Sequence, residues 1–121
     1  MGDVIGHRRV FGVLVPYFNT VVEPELADLR PPGVTNQTAR FTLDANVLQD
    51  VAASATKLAT CGLDALLIGL SPEFIPGGLD LMKQAAADAS QQLGRPVFTA
   101  SHAVYAALNA VSYTHLTLPT N

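Results

Sequence analysis

The segment from Val10 to Glu25 constrains the fold more than any other part of the chain, because it joins an apolar run to a polar elbow and a helix start. Val10–Val15 is short, β-branched and almost continuously apolar, which is typical of a strand buried on both faces of a parallel sheet. Pro16 has no amide hydrogen to donate to a neighbouring strand. We therefore expect the first strand to end there.

The residues after this strand predict a helix N-terminus. Asn19 or Thr20 can cap a helix that runs from Thr20 to Leu29. Glu23 follows Thr20 at the spacing of a capping box. The elbow Tyr17–Thr20 would then lie between the carboxyl end of a strand and the amino end of a helix, where open α/β sheets bind their ligands.

The rest of the chain alternates between strand-like and helix-like segments. In order, these are a strand at Val34–Leu43, a helix that Asp44 or Asn46 caps and that ends at Thr60, a strand at Leu63–Leu70, a helix at Leu79–Leu93, a strand at Pro96–Thr99, and a helix that Ser101 caps and that ends near Ala110. This order predicts an α/β fold with a four-stranded parallel sheet and right-handed crossovers. We expect a three-layer, flavodoxin-like half-domain.

Composition narrows the class of protein further. The chain has 121 residues, 49% of them hydrophobic, which suits one packed domain. Its formal net charge is −3 and its cations are scattered, so we expect neither a nucleic acid nor a membrane as a partner. A single cysteine, Cys61, excludes an internal disulfide and a cysteine-based metal cluster. No signal peptide or membrane-spanning run is evident, and we expect a cytoplasmic protein.

The last residues break the pattern of the preceding chain. Val111–Thr120 has no helical periodicity, and it resembles the translation of a sequencing-library adapter. We therefore expect the α/β domain to cover residues 1–110 and residues 111–121 to be a non-native tail that does not pack on the core. On this interpretation Tyr113 and His115 carry no functional role.

Three segments resemble a known family: Val15–Thr20 with Glu23–Glu25, Gly69–Phe74 and Thr99–Ala103. Together they are similar to the amino-terminal half of the Asp/Glu racemase superfamily, nearest to its maleate cis-trans isomerase and arylmalonate decarboxylase branch. The first segment resembles the Pro-Ser-Ser-Asn-Thr elbow and following Glu-Pro-Glu of the isomerases. The others resemble the loop after the third strand and the last strand-to-helix junction of the first half.

The resemblance implies a two-domain enzyme whose active site lies in the cleft between two similar α/β halves. It implies cofactor-independent chemistry on a small carboxylate, with maleate-type cis-trans isomerisation as the leading reaction and arylmalonate decarboxylation or amino-acid racemisation as alternatives. It also implies a carboxy-terminal half that this sequence lacks, and a complete protein that forms homo-oligomers. A non-catalytic α/β domain that binds a small ligand is the alternative from another class.

The family's catalytic cysteines find no counterpart in this chain. Racemases and isomerases take one cysteine from each half, whereas the decarboxylases keep only the second. The first-half position falls at Gly69 or Leu70, and neither is a thiol. We expect Cys61 to be a packing residue at the amino end of the third strand, roughly 20 Å from Gly69 and Ser71. The resemblance therefore implies no catalytic residue here.

Candidate substrate-binding residues follow the ends of the predicted strands, which should meet at one edge of the sheet. They are Tyr17, Asn19, Thr20, Gly69, Leu70, Ser71 and Ser101. Asn19 either donates its side-chain amide to a carboxylate or caps the helix. Ser71, with nearby backbone N–H groups, either binds a carboxylate or an enediolate or is a turn residue. Gly69 either admits a ligand close to the backbone or serves tight strand packing.

Other residues have both a functional and a structural interpretation. Tyr17 and Phe18 either line the cleft or belong to the core. Glu73 is either an acid–base group or a solvated loop residue. Ser101 is either a helix cap or a ligand contact, and His102 is more simply a residue of the helix's first turn.

Overall fold

The computed structural model of the chain describes residues 4–72 and 76–111. Its elements are β1 (Arg9–Pro16), α1 (Val22–Leu29), β2 (Val34–Phe41), α2 (Val47–Ala59), β3 (Ala65–Ile68), α3 (Gly78–Leu93), β4 (Val97–Thr99) and α4 (Ala100–Ala110). The strands form one four-stranded sheet in the order β2-β1-β3-β4, and every neighbouring pair is parallel. The predicted α/β class is confirmed, and the architecture is consistent with a flavodoxin-like fold. The expectations for residues 112–121 lie outside the described residues.

β1 is an interior strand that pairs with all of β2 and all of β3. Leu14 and Val15 are fully buried, as expected for a strand covered on both faces. Pro16 is the last residue of the strand, because it has no amide hydrogen with which to continue the pairing. Phe11 departs from the expectation, since it is 36% exposed.

The helices α2 and α3 cover one face of the sheet and form the main hydrophobic core with it. Val47, Val51, Ala55 and Leu58 of α2 are buried, and they recur at the three- and four-residue spacing of one helix face. Met82, Ala86 and Ala89 are buried from α3 at the same spacing. Phe41, at the end of β2, is the largest of the fully buried side chains. Helical periodicity therefore identified the buried faces of both helices.

The opposite face of the sheet is only partly covered. α1 packs there against β1 and β2, yet none of its residues is fully buried. Phe11 and, on β4, Phe98 are 36% and 50% exposed. β3 alternates half-buried Ala65 and Leu67 with buried neighbours. The strand covers Ala65–Ile68, fewer residues than the predicted Leu63–Leu70.

Thr20, Asn46 and Ser101 do not cap the helices for which they were predicted. Asn19, the alternative to Thr20, does bond to the start of α1, where its Oδ1 accepts hydrogen bonds from the Val21 and Val22 amides. Asp44, the alternative to Asn46, accepts a hydrogen bond from the Asn46 amide ahead of α2. α1 begins at Val22 rather than at Thr20, so the Thr20–Glu23 capping box does not form. Asn46 precedes α2 without a side-chain cap. In α4, the N-cap is Thr99 rather than Ser101: the Thr99 hydroxyl accepts a hydrogen bond from the His102 amide at 3.2 Å. The helix starts directly where β4 ends, which moves the cap from Ser101 to the last strand residue.

A carboxylate ends β2 earlier than the sequence indicated. Asp50 accepts hydrogen bonds from the Thr42 amide at 2.6 Å and the Thr42 hydroxyl at 2.8 Å, so the chain turns toward α2 after Phe41 instead of extending to Leu43. The bond from the Thr42 amide, followed by that from its hydroxyl, lowers the pKa of Asp50 below its ordinary value of 3.8. Hydrogen bonds to the charged form favour ionisation.

We expect Asp50→Asn to lower the free energy of unfolding at pH 7 by about 0.5–1 kcal/mol, a modest loss because solvent reaches this carboxylate. Since the folded-state pKa is lowered, the stabilisation is complete above the unfolded-state pKa and is lost as the pH falls through the folded-state pKa. Urea unfolding between pH 7 and pH 3 measures this. Asp88→Asn, which removes the same charge from the exposed surface of α3, is the matched control. Equal effects of both variants at every pH would contradict the assignment.

Candidate functional site

A cleft of about 430 Å³ opens at the carboxyl edge of the sheet. Parallel strands bring their carboxyl ends to one edge, and ligands of open α/β sheets bind there. The elbow after β1, the loop after β3 and one side of α1 form its walls. Its lining includes Pro16, Phe18, Asn19, Val22, Glu25, Leu26, Leu29, Gly69, Leu70 and Ser71.

Four of the predicted site residues meet in this cleft. Asn19 comes from the elbow, and Gly69, Leu70 and Ser71 come from the loop after β3. The prediction that Asn19, Gly69, Ser71 and Ser101 converge at one edge of the sheet holds for the first three, which follow parallel strands and line the same cleft. Whether they bind a substrate stays a prediction.

The other three predicted residues lie outside the cleft lining. Ser101 lines a separate apolar groove between α3 and α4, whereas its neighbour Ala100 reaches the cleft. Thr20 is exposed. Tyr17 is 62% exposed and packs edge-to-face on Phe18, with ring centroids 5.3 Å apart. Phe18, rather than Tyr17, therefore forms the aromatic wall, and neither residue belongs to the core.

Asn19 holds the elbow and the start of α1 together. Its Oδ1 accepts hydrogen bonds from the amides of Val21 and Val22, both at 3.0 Å. Its own amide donates to the Pro16 carbonyl at 2.9 Å. With Oδ1 committed to the helix start, Nδ2 is the donor that Asn19 can offer to a ligand. The structural and functional interpretations of Asn19 are therefore compatible.

Gly69 is a close-packing position. Its amide donates to the Leu14 carbonyl at 2.7 Å. A Cβ at residue 69 would lie 3.2 Å from that same oxygen, 3.2 Å from Val22 Cγ1 and 3.3 Å from Val15 Cγ1. These distances support the packing interpretation, because a side chain at residue 69 would require its neighbours to shift by a few tenths of an ångström. The same holds for a cysteine at this position.

The remaining loop residues differ in exposure. Leu70 is half-buried and packs against the main core. Ser71 is exposed at the cleft, and Pro72 behind it is fully buried. Among Gly69, Leu70 and Ser71, which line the cleft, Ser71 is therefore the residue with a polar side chain. The expectation for Glu73 lies outside the described residues.

The described lining contains one ionisable side chain, Glu25, and is otherwise mostly apolar. The nearest cation found at the elbow is Arg40 of β2, which is not part of the lining and which forms an ion pair with Glu23 at 2.8 Å. Sequence reasoning missed Arg40. Its position beside the elbow depends on the register that places Arg40 opposite Val15, and no local pattern reports that register.

Cys61 and His102 have no part in this cleft. Cys61 lies in the turn between α2 and β3, at the amino end of β3 as expected. It is exposed, which corrects the expectation of a packing residue. The tight turn at Gly62 directs the chain back into the core at Leu63, which is buried in its place. His102 serves the N-terminus of α4, where its Nδ1 accepts from the Thr99 amide at 3.4 Å.

These features define a parallel α/β domain with an apolar cleft at the carboxyl edge of its sheet. No protein-family model matches the chain, and no curated protein matches it either. The resemblance to the Asp/Glu racemase superfamily therefore stays a prediction.

Within residues 4–72 and 76–111, no group of three or more His, Cys, Asp or Glu side chains is placed to hold a metal ion. None of the helices described has the length and apolar character of a membrane span.

We expect Gly69→Ala to lower the free energy of unfolding by about 1–2 kcal/mol, because the added methyl group crowds a backbone oxygen and two valine side chains. Chemical denaturation measures the change. Ser71→Ala, at an exposed position of the same loop, should stay within about 0.5 kcal/mol of the unmodified chain. A Gly69→Ala variant as stable as the parent would show that the loop relaxes and that no close packing is required.

Proposed function

We propose that this chain is the amino-terminal half of a cofactor-independent enzyme that acts on small carboxylates, and that the cleft at the carboxyl edge is its share of the substrate site. The observation that carries the proposal is the meeting of Asn19, Gly69 and Ser71 in one cleft. These residues come from two of the segments that resemble the Asp/Glu racemase superfamily. The proposals that a second half exists and that the complete protein is a homo-oligomer rest on the same resemblance.

The Asn19 Nδ2 group and the Ser71 hydroxyl are the donors with which this half can hold a carboxylate. Hydrogen bonds between a neutral donor and a carboxylate are charge-assisted and stronger than neutral pairs. The role proposed for this chain is therefore binding and orientation of the substrate.

Cis-trans isomerisation is the first candidate reaction, on the strength of the elbow resemblance. In that mechanism a thiolate adds to the double bond of an unsaturated dicarboxylate, the new single bond rotates, and elimination of the thiolate restores the double bond. Cys61 lies at the opposite end of β3 from Gly69 and cannot supply this thiolate. A cysteine of the second half must do so.

One observation favours decarboxylation as the second candidate. The cleft is mostly apolar, and its single ionisable lining residue is the acidic Glu25. Such a lining suits a carboxylate that carries a large apolar group, such as an arylmalonate, better than a small dianion. A carboxylate placed against apolar walls loses hydration, which destabilises it. The enediolate has a less concentrated charge, so the loss of hydration destabilises it less. The second-half thiol would then deliver the proton.

Two alternatives are weaker. Amino-acid racemisation uses two opposed thiols, and this half offers none at the cleft. A non-catalytic ligand-binding domain is compatible with the fold, because the fold alone does not specify function, but it leaves the resemblance to the enzyme family without an explanation. Catalysis by the chain together with its second half distinguishes the enzyme from the binding domain.

The binding role is tested by titrating the isotope-labelled 121-residue chain with maleate and with phenylmalonate, followed by NMR. We expect weak binding with Kd on the order of 1 mM, with shifts at Asn19, Gly69 and Ser71, and tighter binding of phenylmalonate. Asn19→Asp keeps an oxygen acceptor for the helix start but replaces the Nδ2 donor by a repelling carboxylate, so affinity should fall at least about tenfold at an unchanged unfolding midpoint. Thr20→Ala, at the exposed neighbour, is the control.

No binding of either ligand, or shifts confined to the groove between α3 and α4, would refute the site.

A second measurement addresses catalysis. We expect the chain alone to be inactive on both compounds, because it holds no thiol at the cleft. Turnover above background that disappears in Cys61→Ser would overturn the proposal that this half binds the substrate and the second half supplies the thiol.

A further inference from the structure

We propose that Arg40 is the positioning residue of the cleft, holding the elbow from behind so that Phe18 and Asn19 keep the geometry that a ligand meets. Arg40 does not line the cleft, so it acts through the elbow and not by contact with the ligand. The inference rests on the proposed function only for the claim that the cleft binds a carboxylate.

One guanidinium group gathers four acceptors of the elbow and the first turn of α1. Nη1 donates to the backbone carbonyls of Asn19 at 2.6 Å, Tyr17 at 3.3 Å and Pro16 at 3.4 Å. Nη2 donates to the Glu23 carboxylate at 2.8 Å. Three carbonyl dipoles converge on this point, and they would repel one another without a cation between them.

The register of the sheet brings Arg40 to this place. Arg40 lies opposite Val15, and the next pair joins Pro16 to Phe41. The Tyr17 amide continues the pairing with a bond to the Phe41 carbonyl at 2.8 Å. β2 therefore stays paired with β1 as far as the elbow, and the long side chain of Arg40 reaches the carbonyls of the turn that follows.

A second side chain of β2 supports the same helix. Asn36 precedes Arg40 by an even number of residues and therefore projects from the same face of the sheet. Its Nδ2 donates to the Leu26 carbonyl of α1 at 2.9 Å. Arg40 and Asn36 thus attach the elbow and the helix to β2 at two points.

These polar attachments matter because apolar burial contributes little here. α1 has eight residues and none of them is buried, so its position is not determined by core packing. At the start of the helix, Asn19 Oδ1 bonds to the amides of Val21 and Val22. That bonding requires a fixed backbone at Asn19, whose carbonyl makes the shortest bond to Arg40.

A lysine cannot replace this arrangement. Its ammonium is a point charge with a tetrahedral set of donors, whereas the planar fork of arginine reaches separate acceptors from both of its terminal nitrogens. Arg40→Lys therefore keeps the charge and loses part of the attachment. Glu23→Gln does the reverse, since it removes the ion pair and leaves the three carbonyl bonds in place.

The test is amide hydrogen exchange of the 121-residue chain by NMR, for the unmodified protein, Arg40→Gln, Arg40→Lys and Glu23→Gln. We expect Arg40→Gln to accelerate exchange at Asn19, Val21 and Val22 by at least about tenfold, Arg40→Lys to give an intermediate value, and Glu23→Gln to stay within about threefold. The Asp64 amide, bonded to Val10 at the opposite edge, should not change in any variant. Unchanged exchange at the elbow, or equal acceleration at Asp64, would overturn the proposal.

Ligand affinity separates positioning from plain stability. In a phenylmalonate titration, Arg40→Gln should weaken binding by about fivefold or more at temperatures where the variant is fully folded, and Glu23→Gln should leave it within about twofold. A loss of stability alone would shift the unfolding midpoint and leave the affinity of the folded protein unchanged, and that result would overturn the positioning role. If the unmodified chain binds no carboxylate, the proposed function fails, and the exchange measurement by itself decides whether Arg40 holds the elbow.

Discussion

Parallel pairing of β1 with both of its neighbours is the constraint on which the rest of the structure depends. The two ladders place β1 in the interior of the sheet, and they pair its backbone with a neighbouring strand on either side. They also force the chain to leave β1 and β3 at the same edge of the sheet. The cleft exists because the elbow and the Gly69 loop emerge side by side from these two strands.

The close contact between these two exits sets the width of the cleft. The Gly69 amide bonds to the Leu14 carbonyl, and the absent side chain lets the loop lie against Val15 and Val22. The Arg40 guanidinium also bonds to the carbonyls of Pro16, Tyr17 and Asn19 in the elbow. A close-packed contact and a polar attachment therefore act on neighbouring parts of the same edge.

The two faces of the sheet are stabilised in different ways. Burial of apolar side chains between the sheet, α2 and α3 dominates one face. The other face carries α1, whose attachment is largely polar and which leaves Phe11 and Phe98 partly exposed. A helix held in this manner opens at a lower free energy than a helix in the core. Ligand-binding elements are commonly drawn from such regions.

Much of the architecture was predictable from local sequence. The β-branched run Val10–Val15, the helical spacing of Val47, Val51 and Ala55, and Pro16 at a strand end each reflect a local steric or periodic preference that no distant contact overrode. The alternation of strands and helices then implied a parallel sheet, and the parallel sheet implied a shared edge for Asn19, Gly69 and Ser71. These inferences need only the order of the elements along the chain.

Tertiary structure decided what depends on register and on the reach of side chains. The cap of α4 moved from Ser101 to Thr99, the helix start moved past Thr20, and Cys61 turned out to be exposed, because each outcome depends on how the chain leaves one element and meets the next. The role of Arg40 follows from its place opposite Val15 across β1 and β2. Local sequence determines which segments can be strands and helices, whereas contacts between residues far apart in the chain appear only when those segments are packed.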